Sequence, residues 1–139
     1  MSLEDNKAIV RRFVQAVQNQ GDLNVLDELT AAEFVNHTAP RGVPSDRDGM
    51  KQLTVLFRQA FPDGRMTIDD MVAEGDRVAT RKTFRGTHRG ELLGIPPTGK
   101  QVAIGLIDIV RVVNGNIVES WSEADNLDLL RQLGAHVQA

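Results

Sequence analysis

"QVAIGLIDIVRVVNGNIVESWSEADNLDLLRQLG", residues 101–134, decides the fold of this chain. Its opening run, 101–113, is apolar on both faces of an extended chain, which predicts a strand in the middle of a sheet. Asn114-Gly115-Asn116 carries the Asn-Gly signature of a tight hairpin. A second strand starts at Ile117, and a short helix, Leu127–Leu133, closes the segment and stops at Gly134. Asp125 stands where that strand meets that helix.

The residues leave two readings of Asp125 open. Regular alternation puts Ile117, Glu119, Trp121, Glu123 and Asp125 on one face, and Val118, Ser120, Ser122 and Ala124 on the other. Ile117 and Trp121, the only tryptophan, mark the first set as the buried side. Apolar surroundings would turn Glu119 or Asp125 into a usable acid or base. The second reading is structural. Asp is a favoured helix N-cap, and Asp128 follows three residues later, at the positive end of the helix dipole.

Working back along the chain, residues 65–88, "RMTIDDMVAEGDRVATRKTFRGTH", are two strand-like runs divided by the turn Glu74-Gly75-Asp76. Val78, Thr80, Lys82, Phe84 and His88 fall on one side of the second run, and a long loop, "RGELLGIPPTGK", follows. Earlier still, helical spacing over 4–20 places Ile9, Val10, Phe13, Val14 and Val17 on one face, with Gly21 as the stop. A shorter helix carries Val25, Leu26 and Leu29. After it come a brief extended segment, "EFVNHT", and the loop "APRGVPSD". A third helix, with Met50, Leu53, Leu56, Phe57 and Ala60, must end before Pro62. Helices first, mostly antiparallel strands next and one closing helix make an α+β fold in which a curved sheet wraps around helices. No repeat or composition shift divides the chain, so 1–139 reads as a single domain.

Composition removes several classes of function. The chain has 139 residues and no cysteine, which excludes disulfides, thiolate nucleophiles and cysteine-held metals. A net charge of −3 lacks the basic excess that a nucleic-acid surface requires. No apolar run approaches the roughly 20 residues that cross a bilayer. The start, MSLEDNKAIV, has neither part of a secretory signal, so a cytoplasmic protein is expected. His37, His88 and His136 are too scattered to hold a metal. His88, beside Gly86 and Gly90, reads as a loop anchor or surface residue, and His136 as solvated. Arg81, Lys82, Arg85 and Arg89 read as a solvated or subunit-contact edge. No phosphate-binding glycine loop or GxSxG elbow is present.

Three stretches carry a resemblance: "RGTHRGELLGIPPTGKQV", "DIVRVVNGNIVESW" and "DNLDLLRQLG". With these the chain resembles the SnoaL-like polyketide cyclase family, within the nuclear transport factor 2-like superfamily, over nearly its whole length. The resemblance implies a cone-shaped α+β barrel, with N-terminal helices packed against a strongly curved, mostly antiparallel sheet around one apolar pocket. It implies a homodimer paired through the outer sheet face. It also implies an intramolecular aldol condensation of a polyketide ester without metal or organic cofactor. Asp125 matches the family's acid/base aspartate, and His37 matches a histidine that lines the pocket. Trp121, His88, Asp108 and Phe57 are the expected contacts of an apolar small-molecule substrate. Two positions depart from the family pattern: Ser120 stands where many members have histidine, and Lys82 where many have tryptophan.

Other activities on the same fold remain in view. An isomerase would want a phenolic donor, and the chain contains no tyrosine. An epoxide-opening hydrolase would want an arginine bridging two carboxylates. Asp108 and Asp125 with Arg81 or Arg111 are the candidates, although alternation sets Arg111 opposite Asp108. A non-catalytic protein that binds an apolar molecule, with Asp125 only a cap, is the reading from another class.

Overall fold

The computed structural model describes residues 2–135, so His136 lies outside the described residues. In chain order the elements are α1 (Leu3–Arg12), a π-helical segment (Phe13–Gln18), α2 (Leu23–Leu29), β1 (Thr30–Asn36), α3 (Arg47–Ala60), β2 (Arg65–Glu74), β3 (Arg77–Thr87), β4 (Gln101–Val113), β5 (Asn116–Ala124) and α4 (Asn126–Gln132). The strands form one sheet in the order β1-β5-β4-β3-β2. The doubly apolar β4 is its central strand, as its sequence predicts. β1 runs parallel to β5 and the other neighbours are antiparallel. The sheet does not close on itself: β1 and β2 are its two edges, so the expected barrel is an open sheet completed by helices.

Local chemistry explains most of the boundaries. Ser2 and Asp5 form a reciprocal capping box at the start of α1. Asp22 caps α2, and Asp46 caps α3 by accepting from the Gly49 amide at 3.0 Å. Asn114 and Gly115 both adopt positive φ, as the tight turn between β4 and β5 requires. The helix expected over 4–20 departs from that reading at Phe13. There the winding widens, and the Asn19 amide donates to the Val14 carbonyl five residues back. The Asn19 side chain is clamped to both backbone groups of Met66 on β2, at 3.1 and 2.7 Å, which ties the widened turn to the sheet.

The inner face of the sheet is apolar at both ends and polar in the middle. On β3 it reads Val78, Thr80, Lys82, Phe84, and on β4 Val112, Val110, Asp108, Leu106. Val78, Val110 and Val112 pack with Val10, Val14 and Ile117 beneath α1. Phe84, Leu106 and Ile104 pack at the opposite end with Phe61, Leu129 and Leu133. Met66 packs against both clusters, and between them a cavity remains.

Candidate active site

The cavity has a volume of about 250 Å³ and is walled mainly by carbon. That is at the small end for ligand sites, which are concave, largely apolar and supplied with a few placed polar groups. The sheet forms its floor, and Phe13, Met50, Leu53 and Phe57 of the helices cover it. The exposed lining residues Pro40, Phe57 and Asn126 mark its mouth.

On the floor, Lys82 Nζ donates to Asp108 Oδ2 at 2.6 Å and to Gln18 Oε1 at 3.1 Å. Lys82 is only 2% exposed and Asp108 8%. A charge is tolerated at such depth only when it is paired and hydrogen-bonded. The pair arises because Thr80 lies opposite Asp108, and Lys82 opposite Leu106, in the antiparallel register; Lys82 therefore reaches diagonally across the ladder. The π-helical segment supplies the third member, since Phe13 and Gln18 both line the cavity. Asp108 Oδ1 is buried without a hydrogen-bond partner among the described residues, and so is Thr80 Oγ1 beside it. An unpaired carboxylate oxygen on a residue that lines a cavity is a candidate proton acceptor.

A second polar group lies on the β1–β5 wall. Asn36, Thr38, Ser120 and Ser122 all line the cavity. Thr38 accepts from the Ser122 amide at 2.9 Å, and Asn36 Oδ1 accepts from the Thr38 amide at 3.1 Å.

The serines face inward because β5 carries a bulge. Val112 pairs with Ile117, but Arg111 pairs with Glu119, so Val118 is an extra residue. Beyond it the alternation changes phase: Ser120, Ser122 and Ala124 join the cavity, and Glu119, Trp121 and Glu123 turn to the outer face. This corrects the expectation that Ile117 and Trp121 share a buried side. Trp121 stacks flat on the exposed His37, with ring centroids 4.6 Å apart, and Arg77 Cζ lies over the Trp121 ring, 5.9 Å from its centroid. His37 Nε2 sits 3.4 Å from Glu119, which also contacts Arg111. His37 and Trp121 therefore belong to an external cluster, away from the cavity.

Asp125 is exposed and does not line the cavity. Its Oδ1 accepts from the Asp128 amide at 3.0 Å, which makes it the N-cap of α4. Asp125→Asn is expected to leave stability unchanged, whereas Asp125→Ala should cost about 1 kcal/mol in urea unfolding. His88 is fully buried but outside the cavity. The Thr98 amide donates to its Nδ1 at 3.2 Å, while its backbone bonds Lys100 and Gly99, so it pins the loop 89–100. Phe57 and Asp108 are the two expected contacts that reach the cavity.

Sequence reasoning did not select Lys82, Gln18, Asn36 or the two serines. Lys82 had a visible signal: a lysine in the inward phase of a strand, between Thr80 and Phe84, needs a buried partner. Nothing in the local sequence marks the bulge that turns Ser120 and Ser122 inward.

An α+β cone with an interior apolar cavity and a buried ion pair on its floor is suited to a small-molecule ligand. A family model, SnoaL-like polyketide cyclase, matches residues 8–133. The chain is 28% identical over 129 residues to the aklanonic acid methyl ester cyclase of Streptomyces peucetius, covering 91% of this chain and 88% of that one. It is 27% identical over 118 residues to the nogalonic acid methyl ester cyclase of Streptomyces nogalater, covering 84% and 88%. The solved structure of TsrD from Streptomyces laurentii superposes with a TM-score of 0.89 at 33% identity, over 98% of this chain and 99% of that one. That of IdmH from Streptomyces antibioticus gives 0.82 at 39% identity, over 94% and 99%. The chain belongs to the SnoaL-like polyketide cyclase family. No helix among the described residues is long and apolar enough to cross a membrane.

Proposed function

We propose that this protein closes a ring in a polyketide ester by intramolecular aldol condensation, with Asp108 as the base and Lys82 as its electrostatic partner. The observation that carries the reading is the 2.6 Å Lys82–Asp108 pair on the cavity floor, with Asp108 Oδ1 left free. Asp108 Oδ1 removes a proton from a carbon beside a carbonyl. The Lys82 ammonium faces the enolate oxygen that forms, in a site where water is scarce and a fixed charge acts strongly. Holding both halves of one molecule in reacting contact lowers the barrier by about 7–11 kcal/mol in well-oriented systems. The apolar lid of Phe13, Met50, Leu53 and Phe57 selects a flat, carbon-rich substrate.

The test is incubation of the purified protein with aklanonic acid methyl ester and with nogalonic acid methyl ester, followed by chromatography and mass spectrometry. A cyclised product has the mass of its precursor and a different retention time. Binding of either ester without any such product would leave a carrier or sensor of polyketides instead.

The outer sheet face supports a homodimer. Ile107 and Ile109 are 52% and 39% exposed at its centre, and Ile109 lies directly opposite Trp121. Exposed apolar groups of this kind, rimmed here by Arg77, Arg81, Glu119 and Glu123, mark interaction surfaces. Ile109→Asp is expected to turn a dimer into a monomer at micromolar concentration in analytical ultracentrifugation, with the fold intact. An unchanged sedimentation coefficient would place the interface elsewhere.

A further inference from the structure

Asn36 ends β1 with its side chain in the cavity, 5% exposed. Three donors converge on its Oδ1: the Thr38 amide at 3.1 Å, the Thr38 hydroxyl at 3.2 Å and the Ser120 hydroxyl at 3.4 Å. A backbone amide can only donate, so the atom facing it is the oxygen and the carboxamide orientation is fixed. The Thr38 hydroxyl is itself oriented, because it accepts from the Ser122 amide at 2.9 Å and so turns its proton toward Asn36. The backbone of Asn36 is held as well, donating to the Ser45 carbonyl at 2.7 Å. All this machinery engages the oxygen. Nδ2 has no hydrogen-bond partner among the described residues, and its two N–H groups are left for the cavity.

We propose that Asn36 Nδ2 is the donor that receives the acceptor carbonyl of the substrate, with Thr38 and Ser120 as its positioning residues; this rests on the cyclase reading above. The sheet places donor and base on either side of one strand. Asn36 pairs with Ser120 of β5, and Ser122 of β5 pairs with Asp108 of β4. The two functional groups are therefore separated by about two strand spacings, ~10 Å across the sheet. Between them β5 presents only two small serines, a shelf on which a flat substrate can lie with one carbonyl at Asn36 and its acidic carbon at Asp108.

The bond changes balance without any co-reactant. Asp108 takes the proton, and the C–H electron pair becomes the enolate. The enolate carbon bonds to the acceptor carbonyl carbon, whose π pair moves onto its oxygen. That alkoxide takes the Asn36 N–H bonds as its charge develops, then recovers the proton from Asp108. Donors aimed at a developing oxyanion contribute typically 10²–10³-fold in rate.

The probe for this site is 1,4-dihydroxyanthraquinone, a flat diketone with no acidic C–H to lose. In 15N–1H spectra of the intact protein, its addition should move the Asn36 side-chain NH₂ signals, assigned by their loss in Asn36→Asp. Asn36→Asp keeps the oxygen that Thr38 and Ser120 bond and replaces the donor with a carboxylate oxygen that repels a carbonyl, so the probe should bind at least tenfold more weakly. The double variant Thr38→Val/Ser120→Ala keeps the amide and its bond from the residue 38 backbone but removes both hydroxyl donors, and should weaken the probe by a smaller factor while broadening the same signals. With an ester that is turned over, Asn36→Asp should lower kcat at least 30-fold and raise KM in step with its weaker hold on the probe. A probe that does not bind, one that binds with the Asn36 signals unmoved, or an Asn36→Asp variant with wild-type affinity would overturn the assignment. Movement of those signals in a protein that turns over neither ester would sink the cyclase reading while leaving Asn36 as a carbonyl-binding group.

Discussion

Asp108→Asn is expected to lower kcat by 10²–10⁴-fold, the usual contribution of a positioned proton acceptor. Asparagine has nearly the shape of aspartate, and its Oδ1 still accepts from Lys82 Nζ, now 2.6 Å from the carboxylate. The cavity therefore keeps its volume and the ammonium keeps a neighbour, while the group that takes the proton is gone. KM should change little, because Asp108 acts on the reacting C–H and contributes little to holding the ground state. The measurement is steady-state turnover of whichever methyl ester the wild-type protein cyclises, with circular dichroism as the folding control. A folded Asp108→Asn protein with more than a tenth of wild-type kcat would remove Asp108 from the mechanism.

The largest effect on stability should come from its partner. Lys82→Met fills a similar volume but leaves a carboxylate in an apolar wall with nothing to balance it. Removing one member of a buried pair costs about 3–5 kcal/mol, much of it the penalty on the survivor. Lys82→Met/Asp108→Leu should recover most of the loss, or exceed wild type, since well-packed apolar residues often match a buried pair. Urea unfolding of the four proteins of this cycle gives the coupling directly. A double variant as unstable as Lys82→Met would mean that the pair is not energetically coupled. A stable but inactive double variant would show that the pair is retained for chemistry.

What the sequence made legible follows from where its information is local. The Asn114-Gly115 turn, the doubly apolar β4 and the end of α3 before Pro62 are specified by neighbouring residues and appear as read. Fold and family were recognisable for that reason. The site was legible only in part. Asp108 and Phe57 were among the expected contacts and line the cavity, while His37, Trp121, Asp125 and His88 lie outside it. For the end of β5 the cause is one residue: alternation read from Ile117 is correct until Val118, and every assignment after it is inverted. The bulge is set by pairing with β4 across the hairpin, which periodicity along a single strand does not record. Asn36 escaped notice because its role comes from Thr38, Ser120 and Ser122, two of them more than eighty positions away.

That bulge also gives β5 two alternative linings. One, made of Ser120, Ser122 and Ala124, is small and hydroxylated, and it faces the cavity. The other, Glu119, Trp121 and Glu123, is bulky and acidic and lies on the outer face of the sheet. A β5 of the same length that paired without the bulge would exchange them in a single step, trading a shelf of hydroxyls for a tryptophan flanked by two carboxylates, whereas loss of Val118 itself would restore regular alternation and leave Ser120 inward. Gain or loss of the bulge is thus a means of changing what the cavity accepts. Substitutions at each inward site would need several separate events to reach the same result. Comparing this chain's relatives by whether β5 bulges here, before comparing their residues, should sort them by the molecules they accept.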